Sequence, residues 1–227
     1  MKTIFINGSP HGRQGNSEIF IRQLMTGMNV VSDVLYVSTH QYDELADQAA
    51  LADRLIFVMP LYVHAMPGIV MKLFEVMKPA KEGAQILFVV QSGFIEAAQS
   101  AYCVKALKHQ AARLGYECLG VIVRGNSAGV SLMPEKANRK LFEDLQALGQ
   151  RLAETGELDE VIVARLGDPY RLSRQKLWQL QLLSRLGLGD LYWQYMLRQH
   201  PAQNQRRERP LGQEDCFQKL KIVVSYS

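Results

Sequence analysis

Two stretches in the first half of the chain are apolar almost without interruption: Arg54–Met59 (RLIFVM) and Gln85–Gln91 (QILFVVQ). A strand buried on both faces has this pattern, because neither side of its pleat meets water. Three further runs, Thr3–Ile6, Asp33–Val37 and Glu117–Val123, are also strand-sized. Between these runs apolar residues return at helical spacing, as in Ile19, Phe20, Leu24 and Met28, and again in Val70, Leu73, Phe74 and Met77. The spacing predicts helices over 19–28, about 43–52, 68–77, about 96–114 and 134–155. Pro134 suits the first turn of the last one.

Strands alternating with helices in this way imply a parallel sheet covered on both faces. The expected class is α/β, a doubly wound five-stranded parallel sheet of order 2-1-3-4-5, with the most apolar runs at its centre. Residues 1–160 form this domain, and 161–227 read as a basic amphipathic helical extension and tail.

Ligands of such sheets bind beyond the carboxyl ends of the strands, beside the point where the order reverses. The segments there are NGSPHGRQGNS (Asn7–Ser17), PLYVHAMPG (Pro60–Gly68), SGF (Ser92–Phe94) and GNSAG (Gly125–Gly129). The first is the most informative. A strand, a turn rich in Gly, Ser and Asn, and a helix N-terminus bring free amides and the positive end of a helix dipole together, which suits a phosphate. The loop lacks the GxxxxGKS/T pattern, since no Lys precedes Ser17. It also lacks GxGxxG, since Gly8 and Gly12 are four apart. A P-loop nucleotidase and a dinucleotide fingerprint are therefore disfavoured. The plainer reading of the same residues is a tight turn that caps the helix through Asn16 or Ser17.

The chain has 227 residues, 48% of them hydrophobic, enough for one sizeable core plus an appendage. Three cysteines, Cys103, Cys118 and Cys216, are too few and too scattered for a disulfide framework or a structural zinc site. No metal is expected. Neither a signal-peptide core nor an apolar run of membrane-spanning length is visible, and a cytoplasmic location is expected.

Two of the strand-end motifs also carry a resemblance. NGSPHGRQGNSE resembles the GSPRxxGNT phosphate loop of the NADPH-dependent FMN reductase and flavodoxin-like NAD(P)H oxidoreductase family. Pro60-Leu61-Tyr62-Val63, followed by Met66-Pro67-Gly68 and Met71-Lys72-Leu73-Phe74-Glu75, resembles that family's PLYxxxxPxxLKxFxE signature. The resemblance implies a flavodoxin-like fold, FMN as cofactor and NAD(P)H as co-substrate. It also implies ping-pong transfer to a quinone, nitroaromatic, flavin or similar small-molecule acceptor, and a homodimer. Ser9, His11, Arg13, Asn16 and Ser17 would then hold the FMN phosphate. Pro60, Leu61, Tyr62 and Val63 would line the isoalloxazine, with Ser92, Gly93 and Phe94 on its other flank. Backbone amides of 61–63 and 92–94 would face charge developing on the flavin. The flavin carries the redox chemistry, so no catalytic side chain is required. The family's usual Arg is His11 here, which makes Arg13 the expected loop cation. His64 stands either near the ring or against solvent. An alternative of another class is a flavodoxin-type electron carrier or flavin-binding partner protein, and a third is a flavin-free interaction module.

The last third differs in character. Residues 165–210 hold nine Lys/Arg against three Asp/Glu. Helices are expected over 173–186 and 190–199, a polar linker over 203–213 and a strand-like run over 220–226. Leu177, Trp178, Leu180, Leu183 and Leu186 make an apolar stripe that needs a cover. The core domain or a sister subunit would supply one; peripheral membrane contact through 173–199 is the second option. No nucleic-acid partner is expected, because the charge comes without a binding motif.

Overall fold

The structure, a computed structural model, describes residues 1–39 and 41–185. Strands β1 (Thr3–Asn7), β2 (Val34–Tyr36), β3 (Arg54–Pro60), β4 (Gln85–Gln91) and β5 (Glu117–Arg124) form one sheet in the order β2-β1-β3-β4-β5. Every pairing is parallel. The two unbroken apolar runs, β3 and β4, lie at the centre, and all seven β3 residues are buried. The short β2 and the less buried β5 take the two edges. The sheet and its order are those expected from the hydrophobic pattern.

Helices α1 (Asn16–Met28), α5 (Glu135–Thr155) and α6 (Glu160–Leu166) share one face of the sheet, packed on Phe5, Ile56, Val58, Leu87, Val89 and Ile122. Helices α2 (Tyr42–Ala50), α3 (Gly68–Val76) and α4 (Ala101–Leu114) cover the other, over Ile6, Leu55, Phe57, Met59, Phe88 and Val90. The alternation of these two sets along each strand is the period-2 pleat, with both faces buried. On the first face α1 and α5 cross with almost no gap. A Cβ on Gly27 would stand 1.9 Å from the Gln146 carbonyl oxygen, and one on Gly149 would stand 2.3 Å from that of Leu24.

The differences from expectation are local. Helix α1 begins at Asn16, with Gly15 as its N-cap and no capping side chain, so neither Asn16 nor Ser17 caps it. Its first turn carries Ser17 and Glu18, both buried, which an apolar periodicity overlooks. Pro134 is the cap residue of α5, extended at ψ 151°, and the helix proper starts one residue later. The stretch expected as one helix from Glu96 opens with a 3-10 turn at Ala97–Ser100 before α4. Helix α6 was not foreseen because its Val161-Ile162-Val163 core is β-branched and reads as strand. What starts it is Asp159, whose Oδ1 accepts from the amides of Val161 (2.9 Å) and Ile162 (3.1 Å).

Two compact units are present, Met1–Leu172 and Ser173 onward. Of the second, helix α7 (Arg174–Arg185) is described, over most of the stretch where 173–186 was expected to be helical. The expected helix 190–199, the linker 203–213, the run 220–226 and Cys216 lie outside the described residues.

Candidate functional site

At the carboxyl end of β1 the chain turns around Asn7, which is fully buried. Its Oδ1 accepts from the Ser9 amide (3.0 Å), while Nδ2 reaches the Gly12 carbonyl (3.2 Å) and Glu18 Oε2 (3.2 Å). The side chain thus folds the loop back on the strand in place of a backbone turn. Ser9 Oγ accepts from the His11 amide at 3.2 Å, and a 3-10 turn at Gly12–Gln14 hands the chain to α1. Gly15 must remain side-chain-free, because a Cβ there would lie 2.8 Å from Ser9 Oγ and 3.2 Å from His11 Cβ. The first-turn amides of α1 are left without a capping side chain, which is the donor array a bound anion uses.

Glu18 is buried beside this loop and holds a small polar network. It accepts from Asn7, from Arg22 Nε (3.2 Å) and from Tyr36 Oη (3.1 Å). Burial, then the hydrogen bond and charge of Glu18, push the Tyr36 phenol above its ordinary range. Arg13 lies over the Tyr36 ring, 5.1 Å from its centroid, a cation–π contact on the outside of the loop.

After β3, Pro60 and Leu61 lead into a tight reversal. The Tyr62 and Ala65 backbones exchange hydrogen bonds of 2.8 and 3.0 Å, and the two residues between them have positive φ, Val63 at 46° and His64 at 67°. This is the geometry of a type I′ turn, in which a β-branched Val is strained. His64 ties the turn to the next loop. Its ring stacks parallel on Phe94 at 5.6 Å, and Nδ1 meets the Gln99 carbonyl at 3.0 Å. That bond puts a proton on Nδ1. Of the two positions open to His64 in the sequence, the structure takes the solvent-exposed one, and there the ring is a strut between loops.

The loops after β4 and β5 are bonded to each other. The Ser127 amide donates to the Ser92 carbonyl (2.7 Å) and that of Asn126 to Phe94 (2.6 Å). Together the four strand ends enclose a cavity of about 330 Å³ lined by Ser9, His11, Gly15, Asn16, Pro60, Leu61, Tyr62, Gln91, Ser92, Gly93 and Ala128. Its size falls within the range of small-molecule sites. Of the twelve residues singled out from the sequence, Ser9, His11, Asn16, Pro60, Leu61, Tyr62, Ser92 and Gly93 share this lining. Ser17 is buried in the first turn of α1 and is not part of the lining. Arg13, Val63 and Phe94 are exposed outside it: Arg13 on Tyr36, Val63 at the turn tip and Phe94 on His64.

Two details alter the expected donor set. The amides of Leu61, Tyr62 and Ser92 donate to Gln91, Ala65 and Arg124 carbonyls at 2.8, 2.8 and 2.9 Å. Those three are spent on holding the loops and do not face a ligand. Conversely, the hydroxyls of Ser17 and Ser92 are buried without any hydrogen-bond partner, a costly state for a polar group unless a ligand completes it. Gln91 and Ala128 are lining residues not among the twelve; Gln91 sits just before the SGF segment, and Ala128 within GNSAG, from which no site residue was drawn. No group of His, Cys, Asp or Glu able to hold a metal occurs among the described residues.

Neither a protein-family model nor a curated protein sequence matches the chain. Solved structures do. The chain is similar to an FMN-dependent NADH-azoreductase from Bacillus anthracis in complex with FMN, at 14% identity and TM-score 0.52, covering 68% of this chain and 100% of that one. A NAD(P)H:quinone oxidoreductase from Methanothermobacter marburgensis matches at 10% identity and TM-score 0.53, covering 67% and 97%. The fold is flavodoxin-like. An NADH:FMN oxidoreductase in its apo form also matches, at 15% identity and TM-score 0.51 over 74% of this chain and 96% of that one. In the flavodoxin-like frame the cavity lies where the strand order reverses between β1 and β3, the position at which such sheets bind ligands. No helix among the described residues is long and apolar enough to cross a membrane.

Proposed function

We propose that the protein is an FMN-dependent NAD(P)H oxidoreductase that passes electrons to a small, flat acceptor. The observation that carries this reading is the pairing of an uncapped α1 N-terminus, whose first turn holds the buried, unpartnered Ser17 hydroxyl, with the equally unpartnered Ser92 hydroxyl in the lining of the switch-point cavity. The helix terminus asks for an anion and the Ser92 hydroxyl for a hydrogen-bonding edge, which together describe a flavin phosphate. The reductases of like fold, one of them with FMN bound, support the cofactor and the nicotinamide.

Bound FMN would supply hydride and electron exchange between the nicotinamide and the acceptor. The protein's part is binding and orientation. The α1 amides, Ser9 and Ser17 would hold the phosphate, with Gly15 giving it access and His11 at the rim. Leu61, Tyr62, Ser92 and Gly93 would flank the ring. Tyr62, in the cavity lining, is 43% exposed, and would offer an aromatic surface to a second planar molecule. His64 keeps the Tyr62 turn and the Phe94 loop in register.

Titration of the purified protein with FMN, followed by anaerobic NADH or NADPH, tests the reading. Perturbed flavin bands that bleach promptly with the nicotinamide are the expected result. Binding without prompt bleaching refutes the reductase in favour of an electron carrier, and absence of binding refutes both.

A further inference from the structure

Asn16 follows the N-cap of the helix that faces the cradle, and its position in the loop suggests an amide reaching for phosphate. The geometry points elsewhere: we propose that Asn16 is a positioning residue whose side chain clips the loop after β5 over the cavity. The proposal rests on the flavin-site reading for its consequence and on the protein alone for its geometry.

Both ends of the amide are already committed. Nδ2 donates to the Ser127 carbonyl at 2.7 Å, and Oδ1 accepts from the Ser131 amide at 3.0 Å, so a single side chain bridges two points of one loop. The loop so held is not a bystander. Its Ala128 lines the cavity together with Ser9 and Ser92, and its Leu132 and Met133 carry 58% and 50% exposure. Its remaining ties run to other elements: the Ser127 and Asn126 amides to the loop after β4, and Asn138 Nδ2 of α5 to the Val130 carbonyl at 2.9 Å. Asn16 is thus the link between the β5 loop and the β1 loop. Held at both Nδ2 and Oδ1 by one loop, the side chain acts on a flavin through the shape of the cavity, while the backbone amide at the head of α1 stays available to the anion.

A phosphate ligand and a loop clip differ in which flavin they discriminate. In Asn16→Ala, affinity for FMN and for riboflavin is expected to fall by the same factor, about tenfold from the loss of two hydrogen bonds. Amide exchange in residues 126–133 of the flavin-free protein is expected to speed up by a similar factor, with β1 and α4 unchanged. Ser131→Pro, which removes the donor to Oδ1 and leaves Asn16 in place, is expected to reproduce the faster exchange and serves if Asn16→Ala fails to fold. A loss confined to FMN, or exchange in 126–133 that matches wild type, overturns the proposal. If the wild-type protein binds neither flavin, the functional reading falls, and the exchange experiment still decides the clip.

Discussion

Replacing Gly27 by alanine sets two effects of opposite sign against each other. In the interior of a helix Ala is preferred to Gly by about 1 kcal/mol, so propensity alone would make Gly27→Ala stabilising. The structure reverses the sign. The new Cβ would stand 1.9 Å from the Gln146 carbonyl oxygen, a backbone atom that no rotamer change can move. Restoring an ordinary carbon–oxygen contact of about 3.3 Å needs the two helices to part by more than an ångström. A gap of that order forfeits about a quarter to a half of each dispersion contact across it. The contacts at risk are those of Leu24 and Met28 with Leu145, Leu148 and Leu152, all buried in one cluster. The net cost is about 2–4 kcal/mol, or roughly 5–15 °C in Tm for a chain of this size.

Urea unfolding followed by far-UV circular dichroism measures this directly, with Gly68→Ala as the control. Gly68 begins α3 with nothing within 4 Å of a Cβ, so propensity acts alone and stability should rise by up to about 1 kcal/mol. Gly149→Ala, 2.3 Å from the Leu24 carbonyl, should resemble Gly27→Ala. The double variant should cost less than the sum, because one separation of the helices accommodates both methyls. A Gly27→Ala protein as stable as wild type would refute the helix contact on which half of the core depends.

Two further outcomes follow from strain and from burial. Val63→Asn puts a residue that tolerates positive φ at the first position of the type I′ turn, where Val63 stands at φ 46°. It should raise stability by about 1 kcal/mol in the same urea assay. Burial pushes the Cys103 thiol from 9.0 to about 11, so the folded state favours the protonated form; the stability this gives is complete below pH 9 and is lost as pH rises through 11. Cys103→Ala should flatten part of the decline in Tm measured between those two pH values.

The sheet was legible because burial on both faces leaves a mark that needs no alignment: RLIFVM and QILFVVQ carry no polar period and therefore lie at the centre. The loops that gather at the switch point followed from the order of the strands. What the sequence concealed was the use each polar residue makes of its neighbours. Arg13 looks like a phosphate ligand until Tyr36, which lies on the adjacent edge strand, offers its ring. Asn16 has the same appearance until Ser127 and Ser131, more than a hundred residues away, take both ends of its amide. Helix α6 was hidden for a different reason, since tertiary packing on β5 overrides the β-preference of Val161-Ile162-Val163.

These reassignments share a cause. A cavity assembled from four strand-end loops must first stop those loops from moving independently, and the shortest way is to bond each to the next. Asn7 secures the first loop to its own strand, Asn16 joins it to the fourth, His64 joins the second to the third, and the Ser127 and Asn126 amides join the fourth to the third. Polar groups used in this way have their orientation fixed by the loops before any ligand arrives. Groups near the switch point with nothing else to hold include the hydroxyls of Ser17 and Ser92 and the head of α1, which no side chain caps. The unpartnered Ser92 hydroxyl in the cavity lining, together with the uncapped head of α1, therefore carries the binding reading further than the loop motif as a whole.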